Sequence, residues 1–288
     1  MENVQHTICI LVDNGSIRAE AALFTRKLAR ELGAAAGLTV QATSLAHSDR
    51  IDLAELEQCS VPLLTPLLEE CGRSANLQRI LVLPLMLATG GAVYRKTQAA
   101  VEAAALAFAD TTFLLGDGLL SEDETVPGGM VRILADGVRA TVHREQLTRP
   151  IVVVVDHGSP ERAAAEARNE VGSRMAHELN DTVSGVVVAS MERRDGEAYD
   201  FNEPLLRAAL SELAVAGRTD VVLVRLFLQP GRHSGVDGDI DRICEAVIRD
   251  HPDLRLHHPA RALPTERLIP LLMARLDRLQ RMNAAPAH

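Results

Sequence analysis

Two hydrophobic periods alternate along the chain. Short stretches rich in Val, Ile and Leu recur at 7–12, 38–45, 79–87, 111–115, 151–155, 183–191, 220–228 and 254–256, unbroken at 151–155. An unbroken run of this length suits a strand covered on both faces. Between the runs, apolar residues return at helical spacing. Ala21, Phe24, Leu28 and Leu32 mark a helix over 17–33; Ala163, Ala167, Val171 and Met175 mark one over 160–179. Further helices are predicted over 53–71 (interrupted near Pro62 and Pro66), 94–108, 130–147, 203–216 and 240–249. A last one runs from Pro264, with Leu268, Leu271, Leu272, Leu276 and Leu279 apolar. The tail from Asn283 to His288 is expected to fray.

Strand-helix alternation of this kind specifies an α/β fold with parallel sheets and helices on both faces. The order also repeats. Asp13-Asn-Gly-Ser16 matches Asp156-His-Gly-Ser159, with Asn14 and His157 separated by 143 residues. Leu85-Met-Leu-Ala-Thr-Gly-Gly-Ala92 matches Leu226-Phe-Leu-Gln-Pro-Gly-Arg-His233, with Ala92 and His233 separated by 141. Two similar offsets, each about half of 288 residues, indicate internal duplication. Two flavodoxin-like halves are expected, 1–148 and 149–288. The first keeps the scaffold but holds Asn14 and Ala92 where the second holds His157 and His233. The chemistry is therefore placed in the second half, with the first as a wall of the site.

Composition narrows the function. Hydrophobic residues are 47 %, enough for a sizeable core, but aromatics are only 2 %, which removes the stacking platforms of most base-reading modules. A net charge of −9 argues against a broad basic face for nucleic acid or an anionic membrane. The four cysteines form no C-x-x-C pair, so free thiols in a reducing compartment are expected. There is no basic-then-apolar leader at the N-terminus and no run of about 20 apolar residues. The expectation is a cytoplasmic protein, monomer or homodimer, with no nucleic-acid or membrane partner. Gly-Ser-Ile and Gly-Ser-Pro are not nucleophile elbows, and no phosphate-binding glycine loop is present, so no nucleotide is expected.

His157 and His233 each follow a predicted strand, at the carboxyl edge where parallel α/β sheets bind ligands. In a 2-1-3-4 strand order the two strands are neighbours about 5 Å apart. Glu192 ends the intervening strand. Two imidazoles and a carboxylate can hold Co²⁺, Ni²⁺, Fe²⁺ or Zn²⁺ and can accept protons. Ser159 is expected to cap the helix after His157 with Pro160 as its first residue, and Asp239 or Asp241 to cap the helix after His233. Arg162, Arg193, Arg194, Arg225 and Arg232 gather at the same edge and suit an anionic ligand.

The His157-Gly-Ser motif and the segment Phe-Leu-Gln-Pro-Gly-Arg-His233, with its following Gly-Asp-Ile240, resemble the sirohydrochlorin chelatases. The resemblance covers most of 151–280 and, more weakly, 7–120. It implies two similar α/β halves facing each other across a cleft. It implies a lyase that inserts a divalent metal, cobalt first or iron or nickel, into sirohydrochlorin, in cobalamin or siroheme synthesis. His157, His233 and Glu192 would then bind the metal and take up pyrrole protons. Ser159, Arg193, Arg194, Arg225, Gly231 and Arg232 would contact the polycarboxylated macrocycle. The family's iron-sulfur motif is absent, so no cluster is expected. Many members carry their histidines in the first half; this chain carries them in the second. The alternatives are a tetrapyrrole or metal carrier without turnover and a small-molecule-binding regulatory protein.

Overall fold

The computed structural model describes residues 6–121, 129–229, 233, 235, 237–259 and 263–282. It contains two four-stranded parallel sheets. In the first, β1 (Thr7–Asp13), β2 (Val40–Ser44), β3 (Arg79–Pro84) and β4 (Thr112–Leu115) lie in the order β2-β1-β3-β4. In the second, β5 (Ile151–Asp156), β6 (Gly185–Ser190), β7 (Asp220–Arg225) and β8 (Arg255–His257) lie in the order β6-β5-β7-β8. Both match the predicted 2-1-3-4 order. The inner strands are the ones with unbroken apolar runs. Val152, Val153, Val154 and Val155 of β5 and Val221 and Val222 of β7 are fully buried. Each such side chain contributes about 1.5–3 kcal/mol of burial.

The helices are α1 (Ala19–Ala36), α2 (Leu64–Arg73), α3 (Ala92–Ala107), α4 (Gly129–Arg144), α5 (Arg162–Glu178), α6 (Leu206–Val215), α7 (Asp239–Asp250) and α8 (Thr265–Met282). α7 shows the amphipathic logic clearly. Ile240, Cys244 and Val247 form its buried stripe, against a polar opposite face. α1 ends where Gly37 takes a left-handed conformation at φ 61°.

The compact units do not follow the chain-order boundary at 148/149. One unit is Met1–Val126 with Pro264–His288; the other is Pro127–Leu263. In the first, α8 packs on α1 and β3. In the second, α4 packs on α5 and β7. The helix that follows β8 in sequence is therefore grouped with the first sheet, and the helix that follows β4 with the second. Each is apolar on one face, and sequence alone does not say which sheet receives it.

Three local expectations are corrected. The stretch 53–71 is helical only from Leu64, because Glu57 and Gln58 are left-handed, at φ 54° and 62°, and a helix cannot pass through them. The buried face of α5 runs through Ala165, Arg168, Val171, Gly172 and Met175 rather than Ala163 and Ala167. An arginine in the middle of that face breaks the apolar pattern. α5 also starts later than expected. Its N-cap is Glu161, which makes no side-chain cap bond, and Ser159 and Pro160 lie before the helix. The expected fraying of 283–288 lies outside the described residues. No described helix is long and apolar enough to cross a membrane.

Candidate metal and substrate site

The second sheet brings three loops to one carboxyl edge. β5 pairs with both β6 and β7, so the residues that follow these strands emerge side by side. The ladder continues into the loops. The Met191 N–H donates to the Asp156 carbonyl at 2.8 Å, the Glu192 N–H to the His157 carbonyl at 3.2 Å, and the Leu226 N–H to the Val155 carbonyl at 2.8 Å.

His157 and His233 meet as predicted. Their ring centroids are 4.5 Å apart and the planes are crossed at 82°. Glu192 joins them, with Oε1 3.6 Å from His157 Nε2. The side chains stay open to solvent, at 42 % exposure for His157, 62 % for Glu192 and 31 % for His233. That is unlike core histidines and suits groups that meet a ligand. Each imidazole uses Nδ1 to hold itself. His157 Nδ1 lies 3.1 Å from the Gly158 carbonyl, and His233 Nδ1 lies 2.7 Å from Asp239 Oδ2. Among the described residues, no three His, Cys, Asp or Glu side chains are already drawn together as a ligand set for an ion.

A buried polar network seats the His157 loop. The Ser190 hydroxyl donates to Asp156 Oδ1 at 2.6 Å, and the same oxygen accepts the Gly158 N–H at 3.1 Å. Arg168, 1 % exposed, donates to Ser190 Oγ and to the carbonyls of Asn202 at 3.2 Å and Phe201 at 3.1 Å. Its guanidinium is 3.6 Å from Asp156 Oδ1. Asn202, also buried, brackets Ser159: its Oδ1 accepts the Ser159 N–H and its Nδ2 donates to the Ser159 carbonyl, both at 2.9 Å. Ser159 itself accepts the Glu161 N–H at 3.0 Å, which makes a turn ahead of α5 instead of the expected cap. Gly158 is required here: φ is +90°, and a Cβ would lie 1.9 Å from the Glu192 carbonyl oxygen.

The arginines divide. Arg225 is buried and its guanidinium is committed to Asp241, whose other oxygen accepts the Asp237 N–H at 3.0 Å. The guanidinium expected to meet a substrate is thus paired across its own loop. Arg193 is bound to Glu203 at 2.6 Å and Asp200 at 3.2 Å and staples its own loop. Arg194 is exposed, its guanidinium 5.8 Å from the Tyr199 ring centre, and Arg162 is exposed with its guanidinium 5.0 Å from that of Phe201. Gly231 and Arg232 lie outside the described residues. Asp239 and Asp241 are the first and third residues of α7, whose N-cap is Gly238; their carboxylates serve His233 and Arg225 rather than the helix end.

The first unit has the same turn without the titratable groups of His157 and Glu192. Gly15 has φ +89°, and a Cβ there would strike the Ala46 carbonyl as one at Gly158 would strike that of Glu192. Asn14 thus stands at the His157 position and Ala46 at that of Glu192. Asp13 accepts the Thr25 hydroxyl at 2.7 Å, where Asp156 has Arg168 and Ser190. The third correspondence differs from the sequence match. Between β3 and α3 there are seven residues, 85–91, and between β7 and α7 there are thirteen, 226–238. His233 sits in this enlarged loop, and Ala92, as the first residue of its helix, corresponds to Asp239.

Residues 151–279 match the CbiX family model. The matched stretch contains His157, Glu192, His233 and Asp239. Solved structures extend the likeness of fold to the first half. The sirohydrochlorin chelatase SirB from Bacillus subtilis subspecies spizizenii, in complex with cobalt, aligns at TM-score 0.64 and 15 % identity over 95 % of this chain and 94 % of that one. SirB from Bacillus subtilis with Fe³⁺ aligns at 0.67 and 13 % identity over 95 % of both. A Deinococcus radiodurans multi-domain protein with structural similarity to chelatases aligns at 0.56 and 18 % identity over 93 % of this chain and 54 % of its own. No relative is found among curated protein sequences.

Proposed function

We propose that this chain is a metal chelatase, a cytoplasmic lyase that inserts a divalent ion into sirohydrochlorin for cobalamin or siroheme synthesis. The observation that carries the reading is the approach of two solvent-open imidazoles to 4.5 Å with a carboxylate 3.6 Å from one of them. In this reading the metal is a substrate. His157 and His233 offer Nε2 lone pairs to the ion, and Glu192 supplies the anionic ligand. As the ion enters the macrocycle, two pyrrole N–H protons leave, so a dication replaces two protons and the ring charge is unchanged. The His157–Glu192 pair takes up those protons, and a positioned base of this kind contributes about 10²–10⁴-fold. Arg194, and Arg232 as the sequence neighbour of His233, are assigned to the macrocycle's carboxylates, with Ser159 and Gly231 as further substrate contacts.

Cobalt is the first choice of ion, with iron or nickel next. One SirB structure is a complex with cobalt and the other holds Fe³⁺, which supports a site of this type accepting more than one metal. The test is an anaerobic assay with sirohydrochlorin and Co²⁺, Fe²⁺ or Ni²⁺, followed by the change in the macrocycle's visible absorption. More than one equivalent of product per chain is expected, whereas a carrier stops at one. Wild-type rates in both His157→Ala and His233→Ala would refute the assignment.

A further inference from the structure

We propose that Asp239 is a positioning residue that selects which nitrogen of His233 faces the reacting metal. The proposal rests on the chelatase reading and deepens it. A carboxylate only accepts hydrogen bonds at neutral pH. With Asp239 Oδ2 2.7 Å from His233 Nδ1, the proton of a neutral imidazole resides on Nδ1, and Nε2 carries the lone pair. Asp239 is itself fixed. It is the first residue of α7, where the helix end favours negative charge, and its Oδ1 lies 3.3 Å from Arg242 Nη1. The backbone closes the same ring of contacts, because the Ile240 N–H donates to the His233 carbonyl at 3.3 Å.

The two imidazoles are thus held differently. His157 leans on the carbonyl of its own neighbour, Gly158, while His233 leans on a carboxylate six residues away. His233 lies in a connection six residues longer than its counterpart, eight residues past the end of β7. The first unit supports a role beyond helix capping. There α3 begins at Ala92 after N-cap Gly91 with no acidic residue in its first turn, so this scaffold starts the helix without an aspartate. The carboxylate is present only in the unit that also has the imidazole.

The test compares Asp239→Ala and Asp239→Asn with the wild type. Two-bond ¹H–¹⁵N spectra of histidine-labelled protein report the tautomer directly. The Nδ1–H form is expected for His233 in the wild type and in Asp239→Asn, which keeps an acceptor oxygen. In Asp239→Ala the spectrum should move toward the Nε2–H form. Metal insertion by Asp239→Ala should fall about 10–100-fold, the usual effect of removing the partner of a metal-facing histidine. Asp239→Asn should retain more activity than the alanine variant, with far-ultraviolet circular dichroism unchanged in both. An unaltered His233 tautomer in Asp239→Ala overturns the proposal, as does an altered tautomer with wild-type insertion. If His157→Ala and His233→Ala insert metal normally, the chelatase reading fails, while the tautomer spectra still decide what Asp239 does.

Discussion

His157 and His233 lie 76 residues apart in sequence, yet their rings meet edge to face with centroids 4.5 Å apart. Groups that share one ion act as a unit, and their mutational effects do not add. Alanine at either position is expected to lower insertion by about 10²–10⁴-fold. The double variant should be no more than a few-fold worse than the poorer single one. Steady-state rates of the four proteins in the cycle check this; multiplicative losses would show that the rings work independently.

Arg168 is expected to matter for stability as well as for the site. It is 1 % exposed and holds Asp156, Ser190 and two carbonyls at once. Removing one member of such a network leaves the others buried without compensation, at about 3–5 kcal/mol. Denaturant unfolding of Arg168→Ala should show a loss of that order. Among molecules that remain folded, insertion should also drop, since the same network seats the His157 turn.

The thiols should separate sharply. Cys59 is exposed, and Cys9, Cys71 and Cys244 are buried. Burial pushes the Cys9 thiol up to about 12, and burial with the nearby Glu70 raises Cys71. Only the thiolate is nucleophilic, so a colorimetric thiol reagent at neutral pH should modify one cysteine quickly in the native protein. The other three should react only on unfolding, and Cys59→Ser should abolish the fast phase.

Asp220 gives the pH dependence a sign. Burial alone would raise its carboxyl, but hydrogen bonds from Arg255 and His257, with a lesser one from Thr219, outweigh it and hold the carboxyl below its ordinary value of 3.8. A group depressed in the folded state contributes stability above its unfolded pKa and loses it as pH falls through the folded one. The melting-temperature difference between wild type and Asp220→Asn should therefore be full at about pH 7 and shrink below about pH 4. A difference that grows on acidification would contradict the assignment.

Much of the fold was legible because both sheets bury their inner strands on two faces, which writes aliphatic runs into the chain. The convergence of His157 with His233 was legible for the same reason: strand order places them, and strand order follows from the alternation of elements. The buried partners were not. Arg168 occupies a core position that a hydrophobic pattern assigns to solvent, and Arg225 looks like a free guanidinium until Asp241 is seen beside it. Asp239 reads as a helix cap because a carboxylate at a helix start has two uses, and only its approach to His233 Nδ1 reveals the second. The shared aspartate of Asp13-Asn-Gly-Ser16 and Asp156-His-Gly-Ser159 was the one available signal of the network below the site. The match of Ala92 to His233 failed because equal spacing was assumed through a loop that differs by six residues.

The exchange of α4 and α8 limits how the chain can be divided. A fragment stopping at 148 would carry α4 without β7 and α5, and would leave the patch of β3 and α1 that α8 covers open to water. Such a fragment would be prone to self-association. Residues 127–263 keep their sheet and covering helix together, so that piece, and not 149–288, is the one expected to melt cooperatively alone. Any recombination of this protein with a relative would keep its partners only with crossover points near 127 and 263, since a junction at the midpoint separates each of these helices from the surface it protects.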